Sequence, residues 1–211
     1  IAQRDSCVNY SFYIGATADN LPEVLSADFS EICAVKVFMG SSTGSLLLED
    51  SSALARLFEA CPAMIAVHSE DNGIIAANLR SAKERFGDDI PFPEHPHIRS
   101  AEACMAATRK AVALARKFGT RLHILHVSTA GEAALLAEVK GDCPSITAET
   151  CVQYLIYDEA AYAELGPLVK CNPAIKTRRD KLALRRAVRA GVIDNISTDH
   201  APHLLEEKRQ P

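Results

Sequence analysis

The sequence predicts an α/β fold: a partial (β/α)8 TIM barrel, about strands three to eight with their helices. Three observations predict it. Short β-branched runs alternate with helical patterns along the chain, which implies a mainly parallel sheet. The strand candidates are continuously apolar, as expected when both faces of a sheet are covered. Four of these runs carry an ionisable residue at or near an end, where barrel enzymes keep their catalytic groups. About six strands can be counted in 211 residues, whereas a closed barrel has eight and typically about 250 residues.

The elements follow in order. Strands are predicted at 8–14 (VNYSFYI), 33–39 (CAVKVFM), 63–68 (AMIAVH), 121–127 (RLHILHV), 145–150 (SITAET) and 193–198 (VIDNIST, read from 192). Helices are predicted at 51–60, 72–86, 100–118, 130–139 and 179–190. Gly87, Gly119 and Gly191 each follow a helical run with Arg or Lys near its end, a stop signal. Ser100 suits an N-cap, and Glu102 favours the positive end of the helix dipole. GDDIPFPEHPH (87–97) reads as an exposed Pro-rich loop. No repeat, low-complexity tract or linker interrupts the chain, so 1–211 reads as a single incomplete barrel domain. IAQRDSCVNY, at the N-terminus, has no initiator Met and no signal-peptide layout. It reads like the middle of a chain, with two βα units expected ahead of Ile1.

Composition narrows the function classes. Hydrophobic content of 48% and charged content of 24% are ordinary for a soluble globular protein. A net charge of −4 leaves no basic footprint for nucleic acid. No apolar run is long enough to span a bilayer. Seven dispersed cysteines without C-x-x-C pairing argue for free thiols in a reducing cytoplasm. A small-molecule substrate is the remaining expectation; homo-oligomerisation stays open.

The densest chemistry lies in NISTDHAPH (195–203), with Asp199, His200 and His203 in five residues. Lys36 sits inside AVKVFMG, His68 ends IAVH, and His126 lies near the end of LHILHV. Singly, each has a plain explanation: a hydrogen-bonded histidine, a snorkelling lysine, an aspartate that makes a turn. A buried charge needs partners, and convergence of four such groups at one end of a parallel sheet supplies them. His123 lies three residues before His126, so regular alternation sends the two to opposite faces. His126, closer to the strand's carboxyl end, is taken as the inward one. His95 and His97, in the Pro-rich loop, are read as solvated or structural. Imidazoles and a carboxylate suit zinc. An ammonium has no lone pair, but a lysine carbamate has two oxygens able to bridge two cations.

These segments resemble the amidohydrolase superfamily, and within it dihydroorotase. The resemblance rests on VKVFMGSSTG (35–44), IAVHSED (65–71), IRSAEA (98–103), RLHILHVST (121–129), ITAETC (146–151), KCNPAIKTRRD (170–180) and STDHAPHLLEEK (197–208), in matching order and spacing. It implies a metal-dependent barrel with two zinc ions bridged by carboxylated Lys36. His68 and His126 would be ligands of the second metal. Asp199 would bind the first metal and act as general base or acid. His203 and Asn172 would hold substrate, and His200 would be structural or supporting. The implied reaction is reversible cyclisation of N-carbamoyl-L-aspartate to L-dihydroorotate, the third step of pyrimidine synthesis.

Two departures qualify the resemblance. The family's His-x-His pair, the nearby Arg, and the Asn after the second strand are absent, and would precede Ile1. ETCVQYL (149–155) has Gln153 and Tyr154 where many dihydroorotases have His-His; Gln-Tyr-Leu is closer to hydantoinases. The alternatives are therefore an allantoinase or a dihydropyrimidinase (hydantoinase) type of cyclic amidohydrolase, and, in another class, a non-catalytic homologue acting as scaffold. Residues 1–211 alone are expected to bind metal poorly and to be inactive. Hydrolysis of dihydroorotate by the purified 1–211 chain with added zinc would contradict this.

Overall fold

The structure, a computed structural model, describes residues 1–40, 46–48 and 50–208. The residues 41–44 of the VKVFMGSSTG segment lie outside them.

Six parallel strands with intervening helices form one sheet in sequential order. A short α1 (Ala2–Asp5) precedes β1 (Tyr13–Gly15). Next come α2 (Leu21–Leu25), β2 (Ala34–Phe38), α3 (Ser51–Ala60) and β3 (Ile65–His68). Then α4 (Asn72–Phe86), α5 (His95–Ile98) and α6 (Ala101–Phe118) lead to β4 (Leu122–Ile124). After it, α7 (Ala130–Val139) leads to β5 (Ile146–Cys151). The last stretch holds α8 (Val152–Ile156), α9 (Ala161–Leu165), α10 (Arg178–Arg189), β6 (Asn195–Ser197) and α11 (Leu205–Lys208). Among the described residues, no helix is long and apolar enough to cross a membrane.

The expected alternation and the five expected helices are present. Their ends have the expected chemistry. Gly119 ends α6 in the left-handed conformation (φ 70°), which costs a residue without Cβ little. Ser100 caps the N-terminus of α6 by accepting from the Ala103 N–H. Thr177 and Asp180 form a reciprocal capping box on α10, and Asp180 also accepts from the Ala130 N–H at the start of α7.

One face of each strand meets the helices. Val35, Val37, Ile65, Val67, Leu122, Ile124, Ile146 and Ala148 join Leu54, Leu57, Phe58, Ala111, Leu136 and Leu184 in the main core. Each such large side chain contributes about 1.5–3 kcal/mol by leaving water. The opposite strand face carries Ala34, Lys36, Ala66, His123, Thr147 and Glu149 by alternation. The sheet curls around this face, because Lys36 of β2 and Asp199 beyond β6 line one cavity.

Three expectations need correction. Of the 8–14 run only Tyr13 and Ile14 are strand, with Gly15 completing β1; pairing with β2 begins at Tyr13–Ala34, preceded by a single bond from the Cys33 N–H to the Phe12 carbonyl. The 121–127 strand stops at Ile124. The Pro-rich stretch is largely exposed, as expected, but is not a loop throughout: a 3₁₀ turn (Phe92–Glu94) and α5 order its second half, Pro96 is buried, and Asn78 of α4 donates to the Ile98 carbonyl.

Candidate active site at the strand ends

Parallel pairing brings the carboxyl ends of the strands to one rim. The β2–β3 register sets Phe38 beside His68, and the β4–β5 register sets His123 beside Thr147. Two residues on this rim leave regular strand geometry. His126 has φ 42° and Asp199 has φ 46°. Among the described residues these are the two non-glycine positions with positive φ, a conformation that costs on the order of 1–3 kcal/mol.

For His126 the consequence is direct. Leu122 and Ile124 face the helical core, and regular alternation would send His126 the same way. The left-handed turn instead brings its ring to His68, with centroids 4.6 Å apart in an edge arrangement. The expectation that only one of His123 and His126 faces inward is thereby corrected: both do. His123 follows the strand alternation, bonded to Thr147 (2.8 Å) and 3.3 Å from the Glu149 carboxylate. Glu149 also accepts from Ser197 (2.8 Å) and Asn195 (3.0 Å), tying the interior of β4, β5 and β6 together.

All six side chains singled out from the sequence line one cavity of about 790 Å³: Lys36, His68, His126, Asn172, Asp199 and His203. Gln153, Tyr157 and Lys170 share it. So does His200, which the sequence suggests is structural or supporting. His203 is exposed at the rim, 3.6 Å from the Glu207 carboxylate. A second hollow, apolar and about 490 Å³, lies by α2 and α3, and no histidine, lysine or cysteine lines it.

The site's electrostatics follow from burial. Burial pushes the Lys36 ammonium below its ordinary pKa, with Asp199 and Glu149 opposing. His126 is buried and pushed well below the ordinary imidazole value by desolvation, then by His68 and Lys36, which keeps it neutral. Asp199 opens to the cavity mouth, yet partial desolvation raises its carboxyl, with Lys36 and His68 opposing.

Two further residues were missed by sequence reasoning. The His68 Nε2 donates to Glu70 Oε2 at 2.7 Å. Arg99 holds the same carboxylate with two nitrogens, Nε to Oε1 at 3.2 Å and Nη2 to Oε2 at 2.5 Å. Glu70 is fully buried; burial opposes its charge, but His68 and Arg99 prevail and hold it at about 2. Gly40 makes room for this corner, since a Cβ there would collide with the Glu70 carbonyl. The His-x-Glu spacing at the end of a strand was a readable signal, because i and i+2 of an extended chain share a face. Arg99 gave no local signal, lying 29 residues away.

No family profile matches the chain. Individual relatives do. An allantoinase of Bacillus velezensis is 26% identical over 214 residues, covering 100% of this chain and 47% of its own length. A dihydroorotase of Macrococcus caseolyticus is 32% identical over 173 residues, covering 82% of this chain and 38% of its own. Among solved structures, the L-hydantoinase (dihydropyrimidinase) of Arthrobacter aurescens superposes with a TM-score of 0.88 at 25% identity, over 95% of this chain and 45% of that one. The chain is a homologue of the cyclic amidohydrolases. It spans less than half the length of the curated relatives it matches.

Among the described residues, no three His, Cys, Asp or Glu side chains form a ready-made cage. The cavity offers two imidazoles, a half-buried lysine and an aspartate. His126 is kept neutral, and His68 meets Glu70 through Nε2, so in the tautomer with its proton on Nε2 its Nδ1 would carry the lone pair a cation needs. That pair of donors fits a divalent cation, and Lys36 fits a carbamate bridge only after modification.

In this amidohydrolase homologue the loop bearing Asn172 is pinned from three sides. The Tyr154 hydroxyl donates to the Pro173 carbonyl at 2.7 Å. The Ile175 N–H donates to the Tyr162 hydroxyl at 2.9 Å. His95 donates from Nε2 to the Cys171 carbonyl at 2.9 Å, its ring edge-on to Tyr162. Burial lowers His95 to about 4, with the Cys171 carbonyl opposing and Arg99, Lys170 and Lys176 adding to the fall. The unfolded chain would protonate His95 near its ordinary 6.5, the folded chain only near 4. Stability from this neutral histidine is therefore full above pH 6.5 and lost as pH falls toward 4. At about 1.4 kcal/mol per unit, wild type should lose roughly 3 kcal/mol more than His95→Gln across that window. Denaturant unfolding at a series of pH values measures it; parallel curves for the two proteins would contradict the assignment.

Proposed function

We propose that the protein is a zinc-dependent cyclic-amide hydrolase that interconverts L-dihydroorotate and N-carbamoyl-L-aspartate, with residues 1–211 forming part of one metal-dependent barrel domain. One observation carries the reading. Lys36 within β2, His68 at the end of β3, and His126 and Asp199 beyond β4 and β6 line a single cavity, and the two positive-φ residues are among them. Backbone strain of this kind persists where the surroundings enforce it, as at active sites.

In this reading His68 and His126 hold one cation. Lys36 becomes a carbamate: its lowered pKa favours the free amine, carbon dioxide adds at Nζ, and the displaced proton leaves to solvent. Asp199 binds beside the second ion. The metals, when bound, supply Lewis acidity to the scissile carbonyl and acidify water. The chain's own residues do the rest. Asp199 takes the proton from the attacking water and returns it to the ring nitrogen as the C–N bond breaks. Its raised pKa suits this double duty, because a proton carrier works best near the operating pH. Asn172 and His203 hold the substrate at the mouth. Gln153 and Lys170 border it and offer further polar contacts.

A second reading, a hydantoinase or allantoinase type of reaction, is supported by Gln153-Tyr154 and by the likeness to the L-hydantoinase. In the whole protein, Asp199→Asn should lower turnover by about 10²-fold or more. Near-normal turnover in that variant would remove Asp199 from the chemistry. A panel of dihydroorotate, hydantoin and allantoin separates the readings: hydantoin or allantoin hydrolysis without dihydroorotate hydrolysis overturns the first. Absence of zinc with an unmodified Lys36 would instead favour a scaffold.

A further inference from the structure

The chain carries a buried side-chain relay behind the cavity that the reaction does not use directly. It runs from Arg99 through Glu70 to His68. Glu70 has no exposure at all and Arg99 is 7% exposed, so each charge is compensated inside the protein or not at all. The guanidinium meets the carboxylate with two N–H groups, the fork geometry that lysine cannot reproduce. The carboxylate, fixed in plane, then accepts from the His68 Nε2.

The scaffold around Arg99 is equally constrained. Its backbone N–H closes α5 by donating to the carbonyl of His95, the first residue of that helix. Asn78 of α4 holds the neighbouring Ile98 carbonyl at 3.1 Å, and Ser100 on the other side caps α6. On the carboxylate side, the Asp71 N–H donates to the Ala103 carbonyl of α6, and Asp71 itself caps α4. Two helices and the docked Pro-rich segment thus converge on one guanidinium–carboxylate pair. Such an investment in an isolated buried ion pair is a poor source of stability, since a buried pair must first overcome its own desolvation. It is a good way to fix a geometry.

We propose that Arg99 is a positioning residue for the cation site: by locking the Glu70 carboxylate, it fixes the ring orientation and tautomer of His68, so that Nδ1 faces the cavity. The inference rests on the reading of His68 as a metal ligand. Removal of a partner at this distance from a ligand typically lowers metal affinity 10–100-fold.

The test uses the whole protein loaded with cobalt(II), whose visible bands report ligand geometry. Equilibrium affinity is measured by chelator competition, with metal-free thermal unfolding alongside. Arg99→Gln is expected to weaken cobalt binding at least tenfold and to shift the visible spectrum, and Glu70→Gln to do the same. Arg99→Lys, which keeps the charge without the fork, is expected to retain the metal-free melting temperature and still bind several-fold more weakly. If Arg99→Gln does not fold, Arg99→Lys decides alone. Wild-type affinity and spectrum in a folded Arg99 variant would overturn the proposal. A wild-type protein that takes up no cobalt at all would overturn the metal-site reading beneath it, which is a different failure.

Discussion

The structure depends on the parallel pairing of its strands. In a parallel ladder every strand points the same way, so every carboxyl end reaches the same rim. The pairs Val37–Val67 and Phe38–His68 hold β2 against β3, and Glu149–Asn195 and Cys151–Ser197 hold β5 against β6. A slip of one residue in any strand would exchange its inward and outward faces. Val35 and Val37 would leave the helical core, and Lys36 would enter it. Register is therefore enforced by the apolar face, and the polar face inherits its precision. That is how a core made of Val, Ile and Leu aligns Lys36 with His68, while His126 and Asp199 join them through left-handed turns beyond the strands.

Two layers of polar structure sit on this register. The lower one joins His123, Thr147, Glu149, Asn195 and Ser197 across three strands inside the sheet's curl. The upper one is the cavity rim, where His126 and Asp199 leave regular geometry. The rim's partners are set in turn by the segments after the strands. Glu70 and Arg99 hold His68, while His95, Tyr154 and Tyr162 pin the loop with Asn172. The helical layer thus acts on the site through a few buried polar contacts rather than through the strands alone.

Much of this was legible in the sequence. Helix ends were marked by local chemistry, as at Ser100 and Gly119, where a single cap decides the boundary. The four strand-end groups could be found because each is an ionisable residue in an apolar run. What stayed hidden was non-local or conformational. Nothing near position 126 announces a left-handed backbone, so two-residue alternation misjudged the His123–His126 pair. Arg99 meets Glu70 across 29 residues. His95 looked like a loop residue because proline and charge surround it, yet its partner, Cys171, lies 76 positions later. Tyr154 stood out in the sequence as a departure from dihydroorotases; in the fold it is buried and supports the Asn172 loop, whereas its neighbour Gln153 reaches the cavity.

The central claim is that Lys36, His68, His126 and Asp199 together hold metal. X-ray diffraction from crystals of the whole protein, recorded on both sides of the zinc absorption edge, tests it most directly. The account predicts anomalous peaks in the cavity among these four side chains, with extra density on Lys36 Nζ for the carbamate. Zinc-replete crystals with no peak there, and an unmodified Lys36, would contradict it.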